Sequence, residues 1–409
     1  MSVWMILRAG LRQRWRSWLA LALLAGVFGG VVTATAAGAR RTDTAYPRLL
    51  AWSRSPEVMF FFSPALAPAI AHLPFRAVAR LPQAAAAARI GGFTVLRPAS
   101  AEVLAPEDSQ IPASMWRRKL LSGRLPDPRR AGEADVSFLL AQRLKLRVGG
   151  TLRFDMVSAS GRPLPVRLRV VGIDAAPLEF PPQTGTGIDL VWTTPAFYRQ
   201  QRSRLDLSPA IALRLRGGAA ALPALLREAR RLAGSKAANA YPLTSQNANT
   251  QHSIHLAAVA LWLLTGLLAA VGLLTLGQLQ ARQSLLEATD YTALRSLGVS
   301  RRQLLAAGLG RAAIIGTAAG AAAVALAVAA SPVFPLGMAR TADPSPGLSA
   351  DWLVLGLGAA GVLAATVGCA VVPAWRAATR AGSSAATPPA GRQREPALSR
   401  GLGGLRPVP

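Results

Sequence analysis

The sequence predicts an integral membrane, α-helical protein: four transmembrane helices, with a large α+β extracytoplasmic domain inserted between spans 1 and 2. Three observations carry this. Four apolar runs are each long enough, at about 20 residues or more, to cross a bilayer. The interval 39–254 contains no such run and shows strand-like alternation with recurrent turn signals. Arginine is also distributed asymmetrically. Fourteen arginines fall in residues 1–16, the segment 277–303 and the tail, whereas the loop 331–351 has only Arg340. The positive-inside bias therefore puts both termini and the segment 277–303 in the cytoplasm.

Composition sets the outer limits. The 409 residues are 51% hydrophobic and carry a net charge of +27. A charge that high ordinarily suggests nucleic acid. Here the basic residues are scattered, nearly all are arginine, and no block of them tracks one helix face, so the expected partner is the lipid bilayer and not nucleic acid. The single cysteine, Cys369, lies within an apolar run, which excludes an intramolecular disulfide. His72, His252 and His255 have no metal-ligand company, so no metal is expected.

Residues 1–16 form a cytoplasmic N-terminus in which Arg8, Arg12, Arg14 and Arg16 alternate with Trp4 and Trp15. Span 1 is residues 17–38. The competing reading is a secretory signal peptide ending in small residues, but signal cores run to ~7–15 residues and this run is longer. Gly26 and Gly30 are four apart and form a seat for a neighbouring helix.

The domain 39–254 holds 30 Arg or Lys against 14 Asp or Glu. Its pattern predicts a helix over 75–89, a strand at 92–96, a loop over 121–133 and a helix over 135–146. A hairpin of 151–157 and 164–173 follows, then strands at 189–193 and 210–215 and an amphipathic helix over 220–232. Strands mixed with helices, without phosphate-binding glycine spacing, indicate an α+β domain.

Span 2 is residues 255–276. The cytoplasmic loop 277–303 follows, and its middle, Ser284 to Leu297, predicts a helix of about four turns with one apolar stripe. Gly298 fits a C-cap and Ser300 an N-cap for the helix of span 3, residues 304–330. Arg311 interrupts that run and is expected to snorkel to the cytoplasmic face. Gly316 and Gly320 offer a second small-residue packing pair. The loop 331–351 is proline-rich, and span 4, residues 352–374, ends at Pro373, Trp375 and Arg376. The remainder, 375–409, has the composition of a disordered cytoplasmic tail.

What is missing narrows the function. The sequence has no G-x-x-x-x-G-K-[ST] phosphate loop, no H-E-x-x-H and no G-x-S-x-G elbow. No carboxylate lies inside a span, which disfavours an ion-coupled transporter. The chain reads as no enzyme and as having no cofactor of its own. Its amphipathic segment 277–303 is either a helix that passes force to a partner or an interfacial helix lying on anionic lipid.

Three stretches resemble one family. They are RQRWRSWLALALLAGVFGGVVTATAAGARRTDTAYPR (12–48), LLSGRLPDPRRAGEADVSFLLAQRLKLRVGGTL (120–152) with RVVGI (169–173), and TALRSLGVSRRQLLAAGLGRA (292–312) with the exit PAWRAATR (373–380). Together they are similar to the FtsX-like permease family of ABC transporters, the group that includes the MacB and lipoprotein-release permeases, in a single four-span unit. The resemblance implies a MacB-like core domain at 39–254 and a separate ABC ATPase that binds the ATP. It also implies a coupling helix in 277–303, with Asp290, Leu294, Arg295, Leu297 and Gly298 at or beside the ATPase contact. Where many members carry a glutamate-isoleucine pair, this chain has Asp290-Tyr291-Thr292-Ala293, so the acidic contact is displaced or altered. The implied function is permease subunit: ATP hydrolysis in the partner moves the extracytoplasmic domain against lipid, lipoprotein or peptide at the cell membrane. Long members often join two such units, so this chain is expected to pair as a homodimer or with another permease. The alternatives are a membrane-anchored extracytoplasmic sensor or scaffold and a truncated, inactive half of a two-unit permease.

Overall fold

The structure is a computed structural model that describes residues 3–61, 81–97, 101–107, 109, 111, 114–180, 189–233, 240–296 and 298–380, with the side chains of 284–296 and a few others left aside. It divides into two compact units. One comprises Met1–Thr33, Gly266–Ala327 and Asp351–Pro409; the other comprises Ala34–Thr265 and Val328–Ala350.

The chain opens with α1 (Val3–Asp43), which leaves helical angles at Arg14, and α2 (Ala45–Ser53). After α2, Arg54 turns into the left-handed region (φ 50°, ψ 48°) and donates its N–H to the Leu50 and Ala51 carbonyls. Then come β1 (Val58–Phe61), β2 (Ala84–Arg97), β3 (Ala101–Pro106), β4 (Lys119–Gly123) and β5 (Glu133–Ser137). The short α3 (Phe138–Arg143) is capped by Ser137, whose Oγ accepts from the Leu140 N–H at 3.1 Å. The hairpin β6 (Thr151–Val157) and β7 (Pro163–Ala175) precedes β8 (Asp189–Trp192) and α4 (Pro195–Gln201). Next are β9 (Leu207–Leu215), α5 (Leu222–Ala233) and β10 (Ala240–Pro242). Four helices complete the described chain: α6 (Leu243–Ser296), α7 (Arg301–Ala330), α8 (Met338–Ala342) and α9 (Trp352–Arg380).

The mixed unit is built on one sheet. Among the described residues it has ten strands in the order β10-β1-β9-β2-β3-β8-β5-β7-β4, with β6 pairing both β2 and β7. The β3–β8 and β5–β7 pairs are parallel and the others antiparallel. Alternation sorts the side chains: Met59 joins the cluster around Trp116 and Trp192, while its neighbour Phe60 packs with Leu213 and Leu225 on the opposite side. In β6, Leu152, Phe154 and Met156 all face the core. On α5, Leu222, Leu225 and Ala229, three and four apart, bury against β1 and β9.

The hairpin, the strands at β8 and β9 and the amphipathic α5 appear where alternation and periodicity place them. Three readings change. The helix expected over 75–89 does not form at 84–89, which belongs to β2; residues 62–80 lie outside the described residues. The alanines there favour a helix by themselves, but pairing along β9 and burial of Ala84 and Ala88 override that preference. The helix expected from 135 starts at Phe138, because Asp135, Val136 and Ser137 are buried in a strand between β7 and β8. The loop expected over 121–133 begins with β4, which pairs with β7.

Four helices, among the described residues, are long and apolar enough to cross a membrane: Gly10–Asp43, Leu243–Gln283, Arg301–Val333 and Trp352–Arg376. Leu267, Leu274, Leu353 and Leu357 are exposed on them, a surface suited to hydrocarbon rather than water. Of the tail expected at 375–409, residues 375–380 are instead helical, because α9 continues through Pro373 to Arg380, and residues 381–409 lie outside the described residues.

Candidate functional site

The segment expected to couple is helical, and it is not a separate helix. α6 runs unbroken from Leu243 to Ser296. The reason is local: Gln278 to Gln283 contains neither glycine nor proline, so nothing stops the helix where the apolar run ends. The side chains of Asp290, Leu294 and Arg295, and all of Leu297, lie outside the described residues. Gly298 has φ +90° with open space where a Cβ would stand, a conformation that glycine adopts at least cost.

The start of α7 is fixed by a reciprocal pair. Ser300 Oγ accepts from the Gln303 N–H at 3.3 Å, and Gln303 Oε1 accepts from the Ser300 N–H at 3.0 Å. This is a capping box with glutamine at the third helical position. The described residues between α6 and α7 are Gly298, Val299 and Ser300.

Within the helical unit the four predicted glycines each face another helix. A Cβ on Gly26 would stand 2.7 Å from the Ala322 Cβ, and one on Gly30 would stand 2.7 Å from Leu326 Cδ2. On Gly316 it would meet Leu363 Cδ1 at 2.9 Å, and on Gly320 the Ala359 carbonyl oxygen at 3.2 Å. Gln280, in α6 ten residues before Asp290, donates from Nε2 to the Thr366 carbonyl of α9 at 2.9 Å. Arg311 is 9% exposed, buried on α7 with Ala307, Gly308 and Ala312.

In the mixed unit the loop between α7 and α9 is bound to the end of α1. Arg41 Nε donates to Asp343 Oδ2 at 2.9 Å, while its terminal nitrogens donate to the Ser331, Gly347 and Ser345 carbonyls at 3.1, 2.9 and 2.8 Å. Arg48 adds a second cation 3.5 Å from Asp343. From β4, Lys119 Nζ donates to the Arg340 and Thr341 carbonyls at the end of α8, at 3.2 and 2.8 Å. Burial pushes the Lys119 ammonium below its ordinary range, against the pull of Asp343. Ala339 and Ala342 complete the seat against Tyr46, Phe138 and Phe180. No local sequence pattern pairs Arg41 with a partner 302 positions away.

A second buried cluster lies in the sheet. Arg118 Nε donates to Asp135 Oδ2 at 2.6 Å, lies 3.6 Å from Asp174 Oδ2, and its guanidinium stacks 4.7 Å from the Trp192 ring centroid. Asp174 pairs in register with Ser137, two residues beyond Asp135, so both carboxylates project from the same face. Glu179 is also fully buried, and neither of its oxygens finds a hydrogen-bond donor among the described residues. Burial raises all three carboxyls, and the Asp135 charge pushes Asp174 higher still. Among the described residues no group of three or more His, Cys, Asp or Glu is placed to hold a metal ion.

Residues 259–381 match the family model described as FtsX-like permease C-terminal. This part of the chain is similar to the C-terminal part of FtsX-like permeases. The match covers less than half of the chain. Comparison with curated proteins finds no match. Among solved structures, the periplasmic region of MacB from Actinobacillus actinomycetemcomitans aligns at 13% identity over 47% of this chain and 92% of that one, with a TM-score of 0.26.

Proposed function

We propose that this chain is an FtsX-like permease acting as a coupling subunit: ATP hydrolysis in a separate ABC ATPase moves α6 and α7, and the mixed unit converts that movement into work on lipid, lipoprotein or peptide outside the cell membrane. The observation that carries it is the family match at 259–381, which encloses the arginine-bearing junction between two membrane-length helices. In this reading both termini and residues 277–303 are cytoplasmic, while 39–254 and 331–351 are outside. Asp290, Leu294, Arg295, Leu297 and Gly298 form or flank the ATPase contact, and two permease units, identical or related, complete the complex. An uninterrupted α6 supports the idea, since a stiff rod passes displacement along its length without a compliant joint. The glycine and capping box at 298–303 then localise the bend.

The test is co-purification. The detergent-solubilised chain, expressed with a candidate ABC ATPase from the same genome, should retain that ATPase, and Leu294→Asp with Leu297→Asp should release it while the permease stays folded. A wild-type chain that retains no ATPase would instead favour an anchored sensor or scaffold.

A further inference from the structure

The mixed unit contains a pocket with a volume of about 450 Å³, open to solvent and lined by α2, the start of α6 and the β1–β9 edge. That volume lies in the range of small-molecule sites, about 300–1,000 Å³. Its floor is apolar, made by Tyr46, Pro47, Leu50 and Pro56. Two guanidiniums, Arg54 and Arg214, stand at it, and neither donates a side-chain hydrogen bond to a described residue. One carboxylate opposes them. Glu57 is committed elsewhere, accepting from the Leu215 N–H at 2.6 Å, and burial raises it above its ordinary value. Two cations against one engaged carboxylate leave the pocket one positive charge in excess.

The backbone adds to this. Arg54 occupies the left-handed position that ends α2, where glycine or asparagine is the low-cost residue. The side chain placed there belongs to the pocket.

We propose that this pocket binds a single-chain amphiphile with one carboxylate or phosphate group, its head on Arg54 and Arg214 and its chain over Tyr46, Leu50 and Pro56. The chemistry follows from charge complementarity over an apolar floor. Access follows from chain position: Gln251 of the pocket precedes His255, the first residue of the expected second span, by about one helical turn. That last step rests on the membrane topology proposed above; the pocket itself does not. A ligand here would touch both α2 and α6, which Tyr46 already joins by donating from Oη to Asn247 Oδ1 at 2.8 Å.

The experiment uses the full chain in phosphatidylcholine nanodiscs and a photoreactive diazirine analogue of decanoate, with adducts mapped by peptide mass spectrometry. Adducts are expected on 46–57 and 244–251, displaced by decanoate and by decyl phosphate but not by decanol or inorganic phosphate. Arg54→Ala with Arg214→Ala should cut that labelling about tenfold or more, as expected when two charge-assisted contacts are lost. The double lysine variant should keep much of it, and Glu57→Gln should increase it. Displacement by decanol as strong as by decanoate, or labelling unchanged in the alanine variant, would overturn the proposal in favour of apolar partitioning. Displacement by inorganic phosphate alone would overturn it in favour of a free-anion site. Retention of the ATPase is read separately, so loss of one result leaves the other standing.

Discussion

Arg41 and Asp343, 302 positions apart in the chain, form a buried ion pair at 2.9 Å. The Asp343 side chain is fully enclosed, and three of the remaining four guanidinium N–H groups are spent on three carbonyls of the same loop. The pair therefore organises a loop whose sequence, rich in proline and serine, has little core of its own. Asp343→Ala leaves a buried cation with only part of its partners, a change that costs about 3–5 kcal/mol. Arg48 cannot make this good, because it is itself a cation and loses the same carboxylate, 3.5 Å away. The expected outcome is a lower melting temperature, with amide exchange accelerated first over 331–350. Arg41→Lys should fail to rescue, since one ammonium cannot reproduce the fan of four bonds.

The buried carboxylates predict a pH dependence of definite sign. Asp135, Asp174 and Glu179 all have raised values in the folded protein, burial being the largest cause in each. A group raised on folding gives stability that is fully present below its unfolded value and is lost as pH rises through its folded value. Stability of the mixed unit should therefore decline as pH climbs above the ordinary carboxylate range. Glu179→Gln and Asp174→Asn should flatten that decline and raise the melting temperature at alkaline pH, by about 2–4 °C for each kcal/mol recovered. Glu133 works in the opposite direction. Hydrogen bonds from Arg124 hold it at about 2, so its contribution is present above the ordinary carboxylate range and is lost as pH falls through about 2. Thermal melts across pH, wild type against Glu133→Gln, separate the two limbs: the variant should lose stability at neutral pH and become insensitive to acid in that window.

The parts of this architecture written locally were legible. Strict alternation at 151–157 produced β6, three-and-four spacing at 222, 225 and 229 produced α5, and Ser300 before the third run produced a capped helix. What depended on distant partners was not. Alanines at 84–88 became strand because β9 lies beside them, and Asp135 was taken into the sheet because β7 and β8 flank it. The left-handed turn at Gly298 could be read from the residue itself, whereas the Arg41 clasp and the Arg54–Arg214 pocket exist only once helices and loop are folded together.

The capping box before α7 gives a prediction of modest size. Ser300→Ala removes the side-chain acceptor of the Gln303 N–H and leaves the bond from the residue-300 N–H to Gln303 Oε1, a loss of about 1 kcal/mol. The site is exposed, so global melting should hardly move. Amide exchange at 301–303 should rise several-fold, and Ser300→Asp, which restores an acceptor and adds a favourable charge at a helix N-terminus, should reverse it.

The glycine contacts predict a sharper response. Gly316 lies where a Cβ would come within 2.9 Å of Leu363 Cδ1 and 3.2 Å of the Leu363 Cα and Thr366 Cβ. Two of those three atoms belong to groups that cannot swing aside, so Gly316→Leu forces α7 and α9 apart. Overpacking of this kind costs about 1–3 kcal/mol. Gly356 is the matched control: on α9, it has nothing within 4 Å of its Cβ position, so Gly356→Leu should be tolerated. Thermal aggregation onset in detergent distinguishes them. A fall for Gly316→Leu with none for Gly356→Leu is the expected result, because steric contact rather than glycine content decides the outcome. Equal falls would mean that apolar bulk alone perturbs these helices and that the close approach at Gly316 contributes little to their packing.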